Sequence, residues 1–118
     1  MKSIGAEAVA VIVRVWRGWT EESDADEYES FATETVFPDA GAEIPGLADW
    51  EVLRREDGSR VEFVTVARFE SWAAVEAFAG PDYEQAHVPD RAEELLADYE
   101  EAVRHYESRG GSRDGAFG

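Results

Sequence analysis

Val9, Val11, Val13 and Val15 fall on one parity and Ala10, Ile12, Arg14 and Trp16 on the other, which predicts a strand over 8–19 with apolar side chains on both faces. The polar cluster 20–24 breaks it, and Ser23 with Asp26, or Asp24 with Glu27, has the spacing of a helix-capping box. Tyr28, Phe31, Ala32, Thr35 and Val36 then recur at helical spacing with Glu27, Glu29, Ser30 and Glu34 opposite, so the helix lays one apolar stripe on a sheet. Pro38 ends this helix or begins a last irregular turn, and 39–46 reads as a loop. Strands follow at 47–55 and 61–69, joined by Asp57-Gly58 as a hairpin turn in which glycine supplies the positive φ. Ser71 fits the N-cap of a helix carrying Trp72, Val75, Phe78 and Ala79 inward, with Trp72 assigned to the core; Gly80-Pro81 stops it. Asp90 with Glu93 fits the cap of a further short helix through Leu95 and Leu96, leaving 99–107 as the last strand.

Two βαβ-like halves in the order βαββαβ point to an α+β fold, the ferredoxin-like sandwich, with one antiparallel four-stranded sheet and the helices on a single face. The other face is then bare, although the first strand is apolar on both sides. A second copy of the sheet is its simplest cover, so a homodimer is expected. The expected organisation is one domain over 1–107 and a flexible glycine-rich tail over 108–118.

Composition narrows the function. A chain of 118 residues suits one core, and with no cysteine it has neither disulfides nor thiolate chemistry. No apolar run approaches the roughly 20 residues of a membrane span, and the N-terminus lacks a secretion pattern, so a soluble cytoplasmic protein is expected. Acidic residues number 27 against 11 basic ones, with Lys2 the single lysine, for a net charge of −16. That field repels phosphate, which argues against nucleic-acid and anionic-membrane partners. The acids are spread from Glu7 to Asp114, so the charge belongs to the folded surface and suggests a salt-adapted or high-GC source. Asp24-Ala25-Asp26 and Glu93-Glu94 have no histidine at ligand spacing and no calcium-loop pattern, so no metal is expected. Nucleophile-elbow, phosphate-loop and dinucleotide motifs are absent, and no cofactor is implied.

The stretch 61–107, with Val13-Arg14-Val15-Trp16-Arg17-Gly18, Val52-Leu53-Arg54-Arg55, Ala77-Phe78-Ala79-Gly80 and Arg104-His105-Tyr106-Glu107, resembles the antibiotic biosynthesis monooxygenase-like proteins over roughly residues 8–107. The resemblance implies a dimeric α+β barrel in which sheets pair face to face and each protomer keeps a pocket between its own sheet and helices. It also implies a cofactor-independent monooxygenase acting on a small aromatic or polyketide-like substrate. Heme-degrading members use an Asn, Trp and His set, and this chain contains no asparagine. The phenol-oxidising members also rely partly on an Asn, with Arg and Trp nearby; Arg14 and Trp16 are the residues here that suit the latter roles.

Arg14 interrupts an apolar strand, where an unpaired guanidinium is costly to bury. One reading is a pocket arginine holding an anionic substrate oxygen; the other, the commoner arrangement, is a structural salt bridge to Glu62, Glu70 or Glu107. Arg68 poses the same question. His87, between Tyr83 and Pro89 in a segment that in this fold can cover the pocket mouth, is the candidate base, against a plain surface histidine. His105, on the last strand, is as suited to the dimer interface as to a ligand. Trp16 and Trp50 are candidate walls for a flat substrate, against ordinary packing. In the catalytic reading His87 forms a substrate anion, Arg14 stabilises it and the anion reacts with O₂. The alternative is a non-catalytic small-ligand-binding or stress-related protein on the same barrel, which an Arg14 locked to a carboxylate would favour.

Overall fold

The computed structural model describes residues 11–112; Lys2, the expected strand positions Ala8, Val9 and Ala10, and residues 113–118 of the expected tail lie outside the described residues. The elements run β1 (Ile12–Glu21), α1 (Ala25–Phe31), α2 (Phe37–Glu43), β2 (Leu47–Asp57), β3 (Arg60–Phe69), α3 (Trp72–Ala79), α4 (Asp90–Leu95), β4 (Leu96–Tyr99) and β5 (Arg104–Glu107). The sheet order is β2-β3-β1, followed by β4 and β5 end to end along the far edge of β1, and all pairings are antiparallel. With its helices on one face, this is the ferredoxin-like sandwich.

Cross-strand register assigns the faces, because residues directly opposite point the same way. Ile12, Arg14, Trp16, Gly18 and Thr20 lie opposite Phe69, Ala67, Thr65, Phe63 and Val61, and this set faces the helices. Two apolar clusters fill that layer. One gathers Ile12, Phe37, Leu47, Ala67, Phe69, Ala74 and Val75; the other gathers Ala25, Tyr28, Ala32, Val61, Phe63, Ala92 and Leu95. The opposite face carries Val13, Val15, Val64 and Val66, all half-buried, with Leu53 and Tyr106 exposed.

Several local expectations are corrected. Neither Asp24 nor Pro89, the N-caps of α1 and α4, makes a side-chain capping bond, so the predicted capping boxes do not form; Asp90 is the first helical residue of α4. Pro38 does not end the first helix. A π-helical turn, Ala32–Val36, carries the chain into α2, where Pro38 sits in the first turn and its missing N–H is no loss. The loop therefore shrinks to 44–46. The wider turn also moves the buried stripe: after Ala32 the next buried residue is Phe37, and Thr35 is exposed. In the hairpin the two turn residues are Gly58 and Ser59, with Asp57 opposite Arg60, and only Gly58 has positive φ, at 67°. Ser71 caps α3 as expected, accepting from the Ala74 amide at 3.1 Å, and Gly80 ends it at φ 86°. Trp72, in contrast, is 40% exposed; at the first position of α3 its ring lies on Tyr83 and His105, while Ala74 and Val75 take the core.

The last strand is split. Between β4 and β5 the backbone turns its hydrogen bonds toward the segment that follows α3: the Ala86 amide donates to the Glu101 carbonyl and the Val103 amide to the Glu84 carbonyl, each at 2.8 Å. Gln85 and Ala102 form an isolated bridge there. Residues 80–89 are thereby docked as a cover across one end of the helix layer.

Candidate functional site

A partly open cavity of about 100 Å³ lies between sheet and helices, drawing its wall from both apolar clusters. β1 supplies Arg14 and Trp16, β3 supplies Thr65 and Ala67, and the first helical run supplies Tyr28, Phe31, Ala32, Val36 and Phe37. Phe78 of α3, Ala92 of α4 and residues 86–89 of the cover close it. Small side chains at Ala32, Ala67, Ala86 and Ala92 leave the space that larger ones would fill.

Arg14 is not locked to a carboxylate: among the described residues none lies within ion-pair distance. Glu62 points from the opposite face of the sheet and is held by Arg17 at 3.3 Å and Arg55 at 2.7 Å, and Glu107 pairs with Arg109 at 3.9 Å. The Arg14 guanidinium donates to the Tyr83 carbonyl at 2.8 Å, meets His105 Nε2 at 3.0 Å and lies 5.5 Å from the centre of the Phe78 ring. Burial pulls its pKa down to about 10, which leaves it charged at neutral pH. Since a guanidinium only donates, His105 Nε2 must accept, and the imidazole is neutral with its hydrogen on Nδ1. Burial first, and the Arg14 charge second, lower the His105 pKa in agreement.

His87 is at the cavity rim. Its Nε2 lies 3.1 Å from Asp82 Oδ1 and 3.3 Å from the Asp82 carbonyl; both are acceptors, so Nε2 carries a hydrogen, and in the neutral imidazole Nδ1 is then the acceptor. Trp16 lines the cavity and is fixed by donating to the Glu100 carbonyl at 2.6 Å. Arg14, Trp16 and His87 are thus brought together. Trp50, Arg68 and His105 are not on the cavity wall. Trp50 stacks on Phe37 at 5.2 Å, Arg68 is on the other face of the sheet and pairs with Asp49 at 2.9 Å, and His105 stands behind Arg14 against Trp72 and Tyr83.

Two further polar wall residues escaped the reading of the sequence. Tyr28 is 4% exposed, and its hydroxyl has no hydrogen-bond partner among the described residues; burial pushes its pKa up to about 12, so it remains a donor. Thr65 is buried, and its hydroxyl likewise has no partner among the described residues. Thr65 had left a signal, a polar residue on the buried parity of a strand. Tyr28 had left none, since a tyrosine on an apolar stripe reads as core. Among the described residues no group of three or more His, Asp or Glu is placed to hold a metal ion, and no helix is long and apolar enough to cross a membrane.

No protein-family model matches the chain, and no curated protein matches it. Solved structures do. A cofactor-independent oxygenase from Streptomyces nogalater, SnoaB, in a mutant form, is 17% identical, with 88% of this chain and 98% of that one aligned at a TM-score of 0.60. A monooxygenase from the ActVA-Orf6 gene of Streptomyces coelicolor, in complex with nanaomycin D, is 18% identical, with 94% and 97% aligned at 0.53. A Bacillus cereus protein provisionally named an antibiotic biosynthesis monooxygenase is 17% identical, with 87% and 97% aligned at 0.58. The chain has the antibiotic biosynthesis monooxygenase-like fold. At these identities the antibiotic biosynthesis monooxygenase-like proteins share an architecture with it; what the cavity does rests on its own residues.

Proposed function

We propose that the protein is a cofactor-independent monooxygenase acting on a small aromatic or polyketide-like substrate in the cavity. The observation that carries this reading is Arg14, a charged guanidinium on an otherwise largely apolar cavity wall with no carboxylate among the described residues to neutralise it. In the proposed reaction His87 Nδ1 accepts the proton of a phenol, and Arg14 holds the phenolate oxygen. The ring carbon ortho to that oxygen bonds to O₂, and the resulting hydroperoxide loses water as its O–O bond breaks, leaving an ortho-quinone carbonyl. Phenol plus O₂ gives quinone plus water, so no outside reductant is required. Trp16 walls the ring.

We place the protein in the cytoplasm as a homodimer, a single domain over 1–107 followed by a tail over 108–118. The half-buried valines on the open face of the sheet support the dimer. The second reading, a non-catalytic binding protein, draws on the same arginine: Arg14 is already hydrogen-bonded to the Tyr83 carbonyl and to His105. The test is O₂ consumption by the metal-free protein in high-salt buffer with phenols, hydroquinones and anthrones. Saturable uptake that disappears in Arg14→Ala, with the oligomer intact, supports oxygenation; no uptake by a folded protein moves the assignment to the binding reading.

A further inference from the structure

We infer that the cavity is a site for a single aromatic ring bearing oxygen substituents at opposite ends, an acidic one against Arg14 and a hydrogen-bonding one against Thr65 and Tyr28. The inference deepens the proposed function, since it takes the same cavity as the substrate site, and it commits to a smaller ligand than a fused polycycle.

Size is the first argument. Typical ligand pockets measure roughly 300–1,000 Å³. The cavity here is about 100 Å³, nearer the apolar cavity of about 150 Å³ that takes benzene. One ring fills it.

Polarity is the second. Tyr28 and Thr65 are buried residues on the wall, and their hydroxyls have no hydrogen-bond partner among the described residues, yet unlike the sealed Thr20 hydroxyl they are not closed off from the cavity. A ligand oxygen can supply what the protein does not. Arg14, the third polar group, has no carboxylate partner among the described residues and is suited to an anion.

Placement is the third. Arg14 is opposite Ala67 and Trp16 opposite Thr65, so Thr65 is the diagonal neighbour of Arg14, roughly 7–8 Å away along the strands. The next pair is Gly18 with Phe63, and the Tyr28 ring lies 4.8 Å from that of Phe63. The polar groups therefore follow one line along β1 and β3, cation at one end and hydroxyls at the other. That order fits a para-disubstituted ring, with Phe78 and Trp16 as apolar flanks.

The experiment is binding, read by calorimetry on the full chain, with 4-hydroxybenzoate, benzoate, 6-hydroxy-2-naphthoate and an anthraquinone carboxylate as probes. The expected result is tightest binding of 4-hydroxybenzoate. Tyr28→Phe and Thr65→Val, both close in shape to the native residues, should each weaken 4-hydroxybenzoate about fivefold, the worth of one hydrogen bond, and leave benzoate unchanged. Tighter binding of the two- or three-ring probes would overturn the ring size while leaving the cavity as the substrate site. Equal weakening of benzoate and 4-hydroxybenzoate in the variants would overturn the assigned orientation. Failure of every probe to bind would overturn the inference, whereas binding of 4-hydroxybenzoate without O₂ uptake from any phenol would sustain it and remove the oxygenase reading.

Discussion

At the scale of single residues, the side chains that break a pattern mark where the protein does something other than pack. Arg14 and Thr65 are both polar positions on buried parities of apolar strands, and that anomaly was visible in the sequence for Arg14 and available for Thr65. What the sequence could not supply was register: the two become diagonal neighbours only when Arg14 is set opposite Ala67. Thr20 breaks the same parity without lining the cavity; it is fully buried and its hydroxyl has no partner among the described residues. An unpaired buried hydroxyl is destabilising, so Thr20→Val, which keeps the shape, should stabilise the fold by about 1 kcal/mol in urea melts. A loss of stability would mean that the hydroxyl is satisfied by something outside the protein. His105 carries a pH consequence. Its folded pKa is lowered below the ordinary 6.5, so the native state binds protons less readily than the unfolded chain. Its contribution is complete above pH 6.5 and is lost as pH falls through the lowered folded value, where an imidazolium would face Arg14. His105→Gln keeps an acceptor for Arg14 and should flatten that part of the stability profile. Parallel profiles for the two proteins between pH 7 and 5 would exclude His105 as its source.

At the scale of elements, strands and helix stripes were legible from period and turn chemistry, and the departures came where one element is bent by another. The π turn at Ala32–Val36 shows this: a helical period carried past it places Thr35 inside, while the structure buries Phe37 and uses Ala32, Val36 and Phe37 as cavity wall. The break between β4 and β5 was equally hidden, because its cause is the docking of 80–89 by the Ala86 and Val103 amides, a contact between distant segments. Gly46 is a third case. The loop reading accounted for its presence, but the close approach of β2 to α3 requires it: a Cβ there would stand 2.4 Å from the Ala74 Cβ. Gly46→Ala should therefore lower stability by roughly 1–3 kcal/mol, and Ala74→Gly in the same chain should recover part of the loss. If Gly46→Ala melts with the native protein, the two elements can part without cost.

At the scale of the whole molecule, the open face of the sheet and the net charge pull in opposite directions. Val13, Val15, Val64 and Val66 form an apolar stripe crossed by a chain of ion pairs from Arg104 through Glu100, Arg17 and Glu62 to Arg55, with the Glu62 carboxylate almost fully buried. The stripe favours a partner sheet, and the ion pairs limit which registers can form, because a shifted copy would leave charges unmatched. Val66→Lys should then convert the expected dimer to monomer in sedimentation equilibrium, and an unchanged mass would assign the face another role. Against association stands the charge, −16 on each chain. Repulsion of that kind acts over distances that salt shortens from about 10 Å at 0.1 M to about 3 Å at 1 M, whereas close ion pairs are screened less. The balance therefore predicts a direction: raising NaCl from 0.1 to 1 M should raise the melting temperature and tighten the dimer together. If both fall instead, the crossing ion pairs outweigh the surface repulsion, and the acidic coat cannot be read as a device that depends on concentrated salt.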